Sequence, residues 1–161
     1  TVAAQVLGLK DQEAELQCQT DQLEASLPIQ WRQKVPQLGV QTALAIVGNT
    51  GDISRFGGNV HRFVAYAGLA PALHQSGARD TVGRPRRRFN RYLKNAFMLL
   101  AFSQLRWHAD ARAYYQRKRA EGKRHWTALR GLARHLCRLV FRVLSEAFSP
   151  ASPTRAGMLL T

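Results

Sequence analysis

The first segment of the chain repeats a leucine every seven residues. Leu9, Leu16 and Leu23 share this spacing, and the positions between them are mostly Gln, Glu, Asp and Lys. A seven-residue apolar repeat with charged flanks is typical of a coiled coil. The pattern therefore predicts a coiled-coil helix over residues 1–27, which Pro28 ends because proline cannot donate the intrahelical hydrogen bond. The alternative is a single amphipathic helix that packs on its own domain.

Apolar residues continue at helical spacing through most of the remaining chain. We predict a helix, a glycine turn and a second helix, followed by four further helices, at about residues 29–35, 40–47, 59–67, 90–107, 110–121 and 127–148. Gly48 and Gly51 are expected to close the second of these, Gly68 the third, and Asp110 to cap the fifth. The predicted fold class is all-α: a coiled-coil segment, a compact helical domain at 28–148 and a disordered tail at 149–161.

One segment lacks helical periodicity. Residues 69–85 are rich in Gly and Pro and predict a long loop or a short hairpin, and we find no convincing run of strand residues. Long ordered loops in compact domains often carry function.

Charge narrows the choice of partner. The chain has 24 Lys and Arg against 10 Asp and Glu, a net charge of +14. Residues 1–26 hold five of the acids and one of the bases, so the positive charge lies beyond the first segment. A field of this sign attracts polyanions, and nucleic acid is the leading candidate.

The sequence argues against several other classes of protein. Cys18 and Cys137 have no CxxC or Cys/His spacing, which argues against a zinc site or a disulfide scaffold and favours a reducing cytoplasm. No stretch approaches the ~18 apolar residues of a membrane span, so no membrane partner is expected. Because the chain opens with Thr1, we expect a fragment or a processed chain.

The densest cluster of basic residues, the sharpest signal in the sequence, extends from the loop into the following helix. Six cations fall within eleven residues without an acid among them: Arg84, Arg86, Arg87, Arg88, Arg91 and Lys94. Forked Arg donors match phosphate oxygens, so we predict phosphate contact here, together with Asn90. The alternative is a solvated basic face. A second band of basic residues is less specific, and salt bridges to an absent domain explain it equally well: Arg117, Lys118, Arg119, Lys123, Arg124, Arg130, Arg134, Arg138 and Arg142.

The turn before the second short helix resembles a helix-hairpin-helix element. In that element a glycine permits close approach of a phosphate, and the free amides of the next helix bind it. We therefore predict nucleic-acid contacts at Gly39, Gln41 and Thr42.

Ser76 stands in the sequence His74-Gln75-Ser76-Gly77, within the loop and close to the basic cluster. A serine hydroxyl attacks phosphorus only when its proton is removed and the phosphate charge is stabilised, which guanidinium groups or a metal could do. Read alone, Ser76 is a turn serine and His74 a solvated histidine.

Together, the segments LGVQTALAIVGNTGDISRF, FVAYAGLAPALHQSG, RRRFNRYLKNA and ARAYYQRKRAEGK resemble the C-terminal domain of one bacterial transposase group. This group is the DEDD transposases of insertion-sequence family one-ten, relatives of the Piv invertases that include the bridge-RNA-guided recombinases. The resemblance covers about residues 35–148, and GLAP followed by QSG is its most specific part.

The resemblance implies that Ser76 is catalytic, attacking the DNA backbone to form a phosphoserine link. It also implies a RuvC-like domain, absent from this chain, whose acids bind Mg²⁺ and complete the site, so that this chain holds no cofactor itself and cannot cleave DNA alone. DNA, a guide (bridge) RNA and further copies in a dimer or tetramer are the implied partners, at the nucleoid in the bacterial cytoplasm.

This sequence departs from the family pattern at two turns. The usual first glycine of the PGxG turn is Gln37, and the usual glycine before Asn90 is Phe89. A non-catalytic basic nucleic-acid-binding protein, or a degenerate transposase remnant, is therefore the alternative function.

Overall fold

The computed structural model describes residues 2–26, 30–71, 73–76, 79–82 and 88–148. Arg84, Arg86, Arg87 and the tail predicted at 149–161 lie outside these ranges. The elements are helices α1 Val2–Ser26, α2 Gln30–Gln33, α3 Val40–Thr50, α4 Val60–Tyr66, α5 Arg91–Trp107, α6 Ala109–Ala120 and α7 His125–Ala147, a 3₁₀ helix at Ile53–Phe56, and strands β1 Leu73–Ser76 and β2 Arg79–Val82.

The predicted all-α class is confirmed for the body of the chain. For the segment at 69–85, where a long loop and a short hairpin were both predicted, the structure has a hairpin. Strands β1 and β2 pair antiparallel, with Leu73 opposite Val82 and Ser76 opposite Arg79. Sequence analysis found no convincing strand run because each strand has only four residues, too few to show the alternation that identifies a strand.

The core lies between α5 and α7 and is closed by α3 and α4. Helix α7 supplies ten buried side chains and runs through the centre of the domain. Aromatic rings fill the space beside it, since the ring centroids of Phe63 and Phe141 lie 5.2 Å apart and those of Phe63 and Phe97 lie 6.0 Å apart. These contacts fix the relative positions of α4, α5 and α7.

Helix α1 spans most of the segment predicted to form a coiled coil, and several of its apolar side chains are exposed to solvent. Leu9 and Leu16 are 64% and 62% exposed, and Val2 is 75% exposed. The described part of this chain therefore does not cover the apolar seam. The coiled coil with a partner helix stays a prediction.

Two predicted helix ends are corrected. Gly48 lies inside α3, which continues to Thr50 and ends at Gly51, where φ is +60°. Helix α6 begins at Ala109 because the backbone of His108 is extended, so Asp110 lies in the first turn and is not the cap. A carboxylate in the first turn is still favourable because it faces the positive end of the helix dipole.

Candidate nucleic-acid interface

Residues 69–89, which we call the excursion, leave and rejoin the helical body at one point. The amide of Asn90 donates to the carbonyl of Tyr66 over 2.8 Å. Next to this bond, Gly68 has φ +66°, and a Cβ built on it would lie 2.5 Å from Cδ2 of Phe89. Only glycine meets both demands, so the two ends of the excursion are clamped together.

Asn90 organises a polar network behind this clamp. Its Oδ1 accepts from the amide of Leu93 and caps α5, while its Nδ2 donates to Oδ1 of Asn49 and to the hydroxyl of Tyr66 over 3.2 Å each. The hydrogen bond from Asn90, and then the neighbouring Arg55, lower the pKa of Tyr66. The side chain that we predicted to contact nucleic acid is therefore used within the protein, where it ties α3, α4 and α5 together.

The hairpin places Ser76 at the last residue of β1. Leu73 and Val82 pair at the end nearer the clamp, and Ser76 and Arg79 pair at the opposite end, with two residues between the strands in sequence. The backbone of Ser76 is thus at the outer end of the excursion.

Four cations lie on adjoining faces of α5 and α7, close to the base of the excursion. We call them the basic strip: Lys94, Arg130, Arg134 and Arg138. Burial and the charge of Arg130 lower the pKa of Lys94, and burial and the charge of Arg138 lower the pKa of Arg134. Within the described ranges no carboxylate is ion-paired with any of the four. Their mutual repulsion leaves a surface that an anion would stabilise.

Arg134 connects the basic strip to the excursion. Its Nε donates to the carbonyl of Leu69 over 2.7 Å, at the first residue of the excursion. At the other end of the excursion, the Lys94 ammonium lies 4.9 Å from the ring centroid of Phe89. The basic strip therefore holds both ends of the segment that carries Ser76.

The predicted cations of the sharpest cluster divide into three groups. Arg88 and Arg91 are exposed at the start of α5, Lys94 is half-buried in the basic strip, and the remaining three arginines lie outside the described residues. The structure thus joins Lys94 to Arg130, Arg134 and Arg138 of the less specific band. Sequence spacing could not show this because the two groups are more than thirty residues apart.

The glycine turn before α3 has the predicted helix, turn, helix order. Gln37, which stands where the PGxG pattern of the sequence analysis has a glycine, has φ +58°, so the backbone is left-handed there despite the side chain. The buried Gln104 donates from Nε2 to the carbonyl of Pro36 over 2.7 Å and fixes the turn to α5. Gly39 is the N-cap of α3 and has no side-chain cap.

A groove of about 240 Å³ separates the start of α3 from α5. Gln41 and Thr42 line one side, and Tyr92 and Asn95 line the other. The first backbone amides of α3, at the N-terminal end of the helix, lack intrahelical acceptors. Gln41 is exposed, Thr42 is half-buried, and both are accessible to a ligand in the groove.

The described residues offer no obvious metal site. They contain no group of three or more His, Cys, Asp or Glu side chains able to hold a metal ion. Asp52 accepts from the amide and the hydroxyl of Ser54, and these bonds lower the pKa of its carboxyl group. None of the helices in the described ranges is long and apolar enough to cross a membrane.

Comparison with known proteins gives a consistent set of relatives. A family model described as Transposase IS116/IS110/IS902 family matches residues 33–116, from the glycine turn through α6. An uncharacterized protein of insertion element IS110 from Streptomyces coelicolor is 32% identical over 99% of this chain and 40% of its own length. An uncharacterized protein of IS900 from Mycobacterium paratuberculosis is 35% identical over 76% of this chain and 31% of its own length. A third, from IS116 of Streptomyces clavuligerus, is 32% identical over 75% and 31%. The chain thus spans two fifths or less of the length of these curated relatives.

Proposed function

Because the chain belongs to the Transposase IS116/IS110/IS902 family, we propose that it is the DNA-binding, serine-bearing domain of an insertion-sequence transposase. One observation supports this most directly. The hairpin that carries Ser76 leaves the body between Arg134 and Lys94, so a phosphate backbone bound on the basic strip would pass the base of the excursion.

In the proposed reaction the Oγ of Ser76 attacks a DNA phosphorus atom. The Oγ–P bond forms as the bond from phosphorus to one sugar oxygen breaks, the serine proton passes to a base, and the departing oxygen takes up a proton. The phosphoserine link keeps the phosphodiester energy, so the same steps in reverse join a new strand. The cations of the basic strip would hold the strand and offset its charge.

The proposal does not place Mg²⁺ among the residues of this chain. The described residues do not fit a Mg²⁺ site, since Asp52 is bonded to Ser54 and no acidic cluster accompanies it. We assign the metal to a RuvC-like domain outside this chain. For the same reason the 161-residue chain alone should not cleave DNA.

The proposal includes three partners, which are DNA, a guide RNA and further copies of the protein, and a place of action in the cell. DNA would contact the basic strip together with Arg88, Arg91 and the α3 end near Gly39, Gln41 and Thr42. A guide (bridge) RNA could use the remaining positive surface. A dimer or tetramer would form through the exposed leucines of α1. The nucleoid is the expected place of action.

The test is capture of a covalent protein–DNA adduct. A complete transposase that carries these 161 residues, supplied with Mg²⁺ and a nicked element-end DNA, should give an SDS-resistant adduct that protease removes. Ser76→Ala should abolish the adduct while leaving DNA affinity within about twofold. Ser103→Ala, at a half-buried serine on α5, is the matched control and should keep it. An adduct that survives Ser76→Ala would reject the catalytic role of Ser76, and the absence of any adduct from the unaltered transposase would favour the non-catalytic binding alternative.

A further inference from the structure

Four rings from three helices meet at the end of the domain away from the excursion. We call them the aromatic corner: Phe102 of α5, Tyr115 of α6, and His125 and Trp126 of α7. The centroids of Phe102 and Trp126 lie 6.0 Å apart at 85°, and those of His125 and Trp126 lie 5.1 Å apart. The hydroxyl of Tyr115 is 2.7 Å from Nδ1 of His125, which holds the histidine ring in place. The corner is therefore an ordered surface.

Two of the four rings of the aromatic corner, those of Phe102 and Trp126, are exposed to solvent, and those of Tyr115 and His125 are half-buried. Trp126 is 56% exposed and Phe102 is 39% exposed, although large aromatic side chains stabilise a fold most when they are buried. Neither ring belongs to the hydrophobic core. Contiguous exposed aromatic surface of this kind commonly marks a binding site.

The surroundings of the corner are basic. Arg112, Arg119, Lys123 and Arg124 are exposed on α6 and on the connection into α7. Arg112 and Arg119 lie three residues before and four after Tyr115, on the same side of α6. Arg119 also donates to the carbonyl of Lys123 over 2.9 Å, which fixes the connection beside His125. In the part of the chain that the structure describes, none of these four cations is paired with a carboxylate.

The aromatic corner continues the line of the basic strip. Trp126 precedes Arg130 by four residues and Arg134 by eight, so the three occupy successive turns of α7, with Trp126 about 12 Å along the axis from Arg134. On α5, Lys94 faces Arg130 and Phe102 faces Trp126. One face thus runs from the base of the excursion, past unpaired cations, to exposed rings.

We propose that the aromatic corner binds unpaired bases of the DNA strand whose phosphates lie on the basic strip, with a base stacked on Trp126. This inference rests on the proposed function and adds to it a preference for single-stranded over duplex DNA. Exposed rings favour unpaired bases because bases in a duplex are already stacked on each other. The four cations outnumber the one carboxylate on the same connection, that of Glu121, so this surface is complementary to a phosphate backbone.

The 161-residue chain can be tested directly by equilibrium binding. Fluorescein-labelled oligothymidine of fifteen nucleotides and a duplex of equal length serve as probes in anisotropy titrations at one fixed salt concentration. Trp126→Ala should weaken oligothymidine binding about tenfold, as expected for loss of one stacked base, and should change duplex binding by less than twofold. Trp126→Phe, which keeps a ring, should recover most of the loss.

Trp107 supplies the matched control. It is 62% exposed on α5 and has Arg106 over its ring at 5.1 Å, but it makes no ring contact with the aromatic corner. Trp107→Ala should bind oligothymidine like the wild type. In a Trp107→Phe background, the fluorescence of Trp126 should be quenched by oligothymidine, while the buried Trp31 should not respond.

Three contrary results would each reject the proposal and would indicate a different role for the aromatic corner. Equal binding of oligothymidine by Trp126→Ala and wild type would remove the stacking role. Equal losses for oligothymidine and duplex would make the corner a general basic surface. A change in oligomeric state of Trp126→Ala with unchanged DNA binding would make it a protein contact. None of these outcomes depends on the Ser76 adduct, because each is measured by equilibrium binding or by the oligomeric state of the 161-residue chain.

Discussion

Gly68→Ala would strain the clamp at the base of the excursion in two separable ways. The first is conformational, because φ is +66° and a left-handed backbone costs an L-residue roughly 1–2 kcal/mol. The second is steric, because the new Cβ would lie 2.5 Å from Cδ2 and 2.7 Å from Cγ of the Phe89 ring. Overpacking of this kind costs roughly 1–3 kcal/mol, so the total loss in the free energy of unfolding should be about 2–5 kcal/mol.

A matched glycine isolates the steric part. Gly58 has φ +69°, but nothing lies within 4 Å of a Cβ built on it. Gly58→Ala should therefore lose only the conformational cost of about 1–2 kcal/mol. If Phe89 is first replaced by alanine, only the 3.2 Å contact with the Cβ of residue 89 remains, so Gly68→Ala should cost little more than Gly58→Ala, and the coupling between positions 68 and 89 should be about 1–3 kcal/mol.

Urea unfolding followed by far-ultraviolet circular dichroism measures these differences, since most of the described chain is helical. The reasoning fails if Gly68→Ala and Gly58→Ala shift the midpoint equally, or if the Phe89→Ala background leaves the cost of Gly68→Ala unchanged. Either result would mean that Phe89 moves aside freely and that the excursion is not clamped.

Three other perturbations test separate contacts. Gln104→Ala removes the hydrogen bond to the Pro36 carbonyl and leaves a void at a buried position, so urea unfolding should show a loss of about 1–3 kcal/mol. Burial raises the pKa of the Cys137 thiol, whereas the unfolded thiol ionises at about 8.5, so the stability that this group contributes is full below that pH and falls as pH rises. Cys137→Ala should therefore reduce the alkaline loss of stability by up to about 1.4 kcal/mol per pH unit. Arg138→Ala should lower the magnitude of the slope of log K against log salt for duplex DNA by about one, and an unchanged slope would place the DNA elsewhere.

The helical framework could be predicted because it depends on local periodicity. Apolar residues at helical spacing in α5 and α7 predicted nearly correct ranges, and Gly68, which was expected to close its helix, follows the end of α4 with a φ of +66°. The predicted membership of the insertion-sequence transposase family is confirmed by the match over residues 33–116, whereas the bridge RNA and the relation to Piv invertases stay predictions. Short strands and the first turn of α6 were missed because neither has enough residues to show a period.

The site was harder to predict because its contacts are long-range. Arg134 was assigned to a less specific band, since its acceptor at Leu69 lies 65 residues earlier. Asn90 was assigned to nucleic acid on the strength of its basic neighbours, although an Asn directly before a helix is also a strong N-cap signal. The roles of Ser76 and of the predicted phosphate contacts stay predictions.

The clamp between Gly68 and Phe89 also bears on how this domain could diversify. Because the ends of the excursion meet at fixed contacts on the helical body, a change in its length alters only the entropy of closing a loop. Doubling a loop costs only about 0.6 kcal/mol, so related proteins could gain or lose residues between these contacts at little expense in stability. The reach of the hairpin, and with it the spacing between bound strands, could therefore evolve while the helical core stays constant.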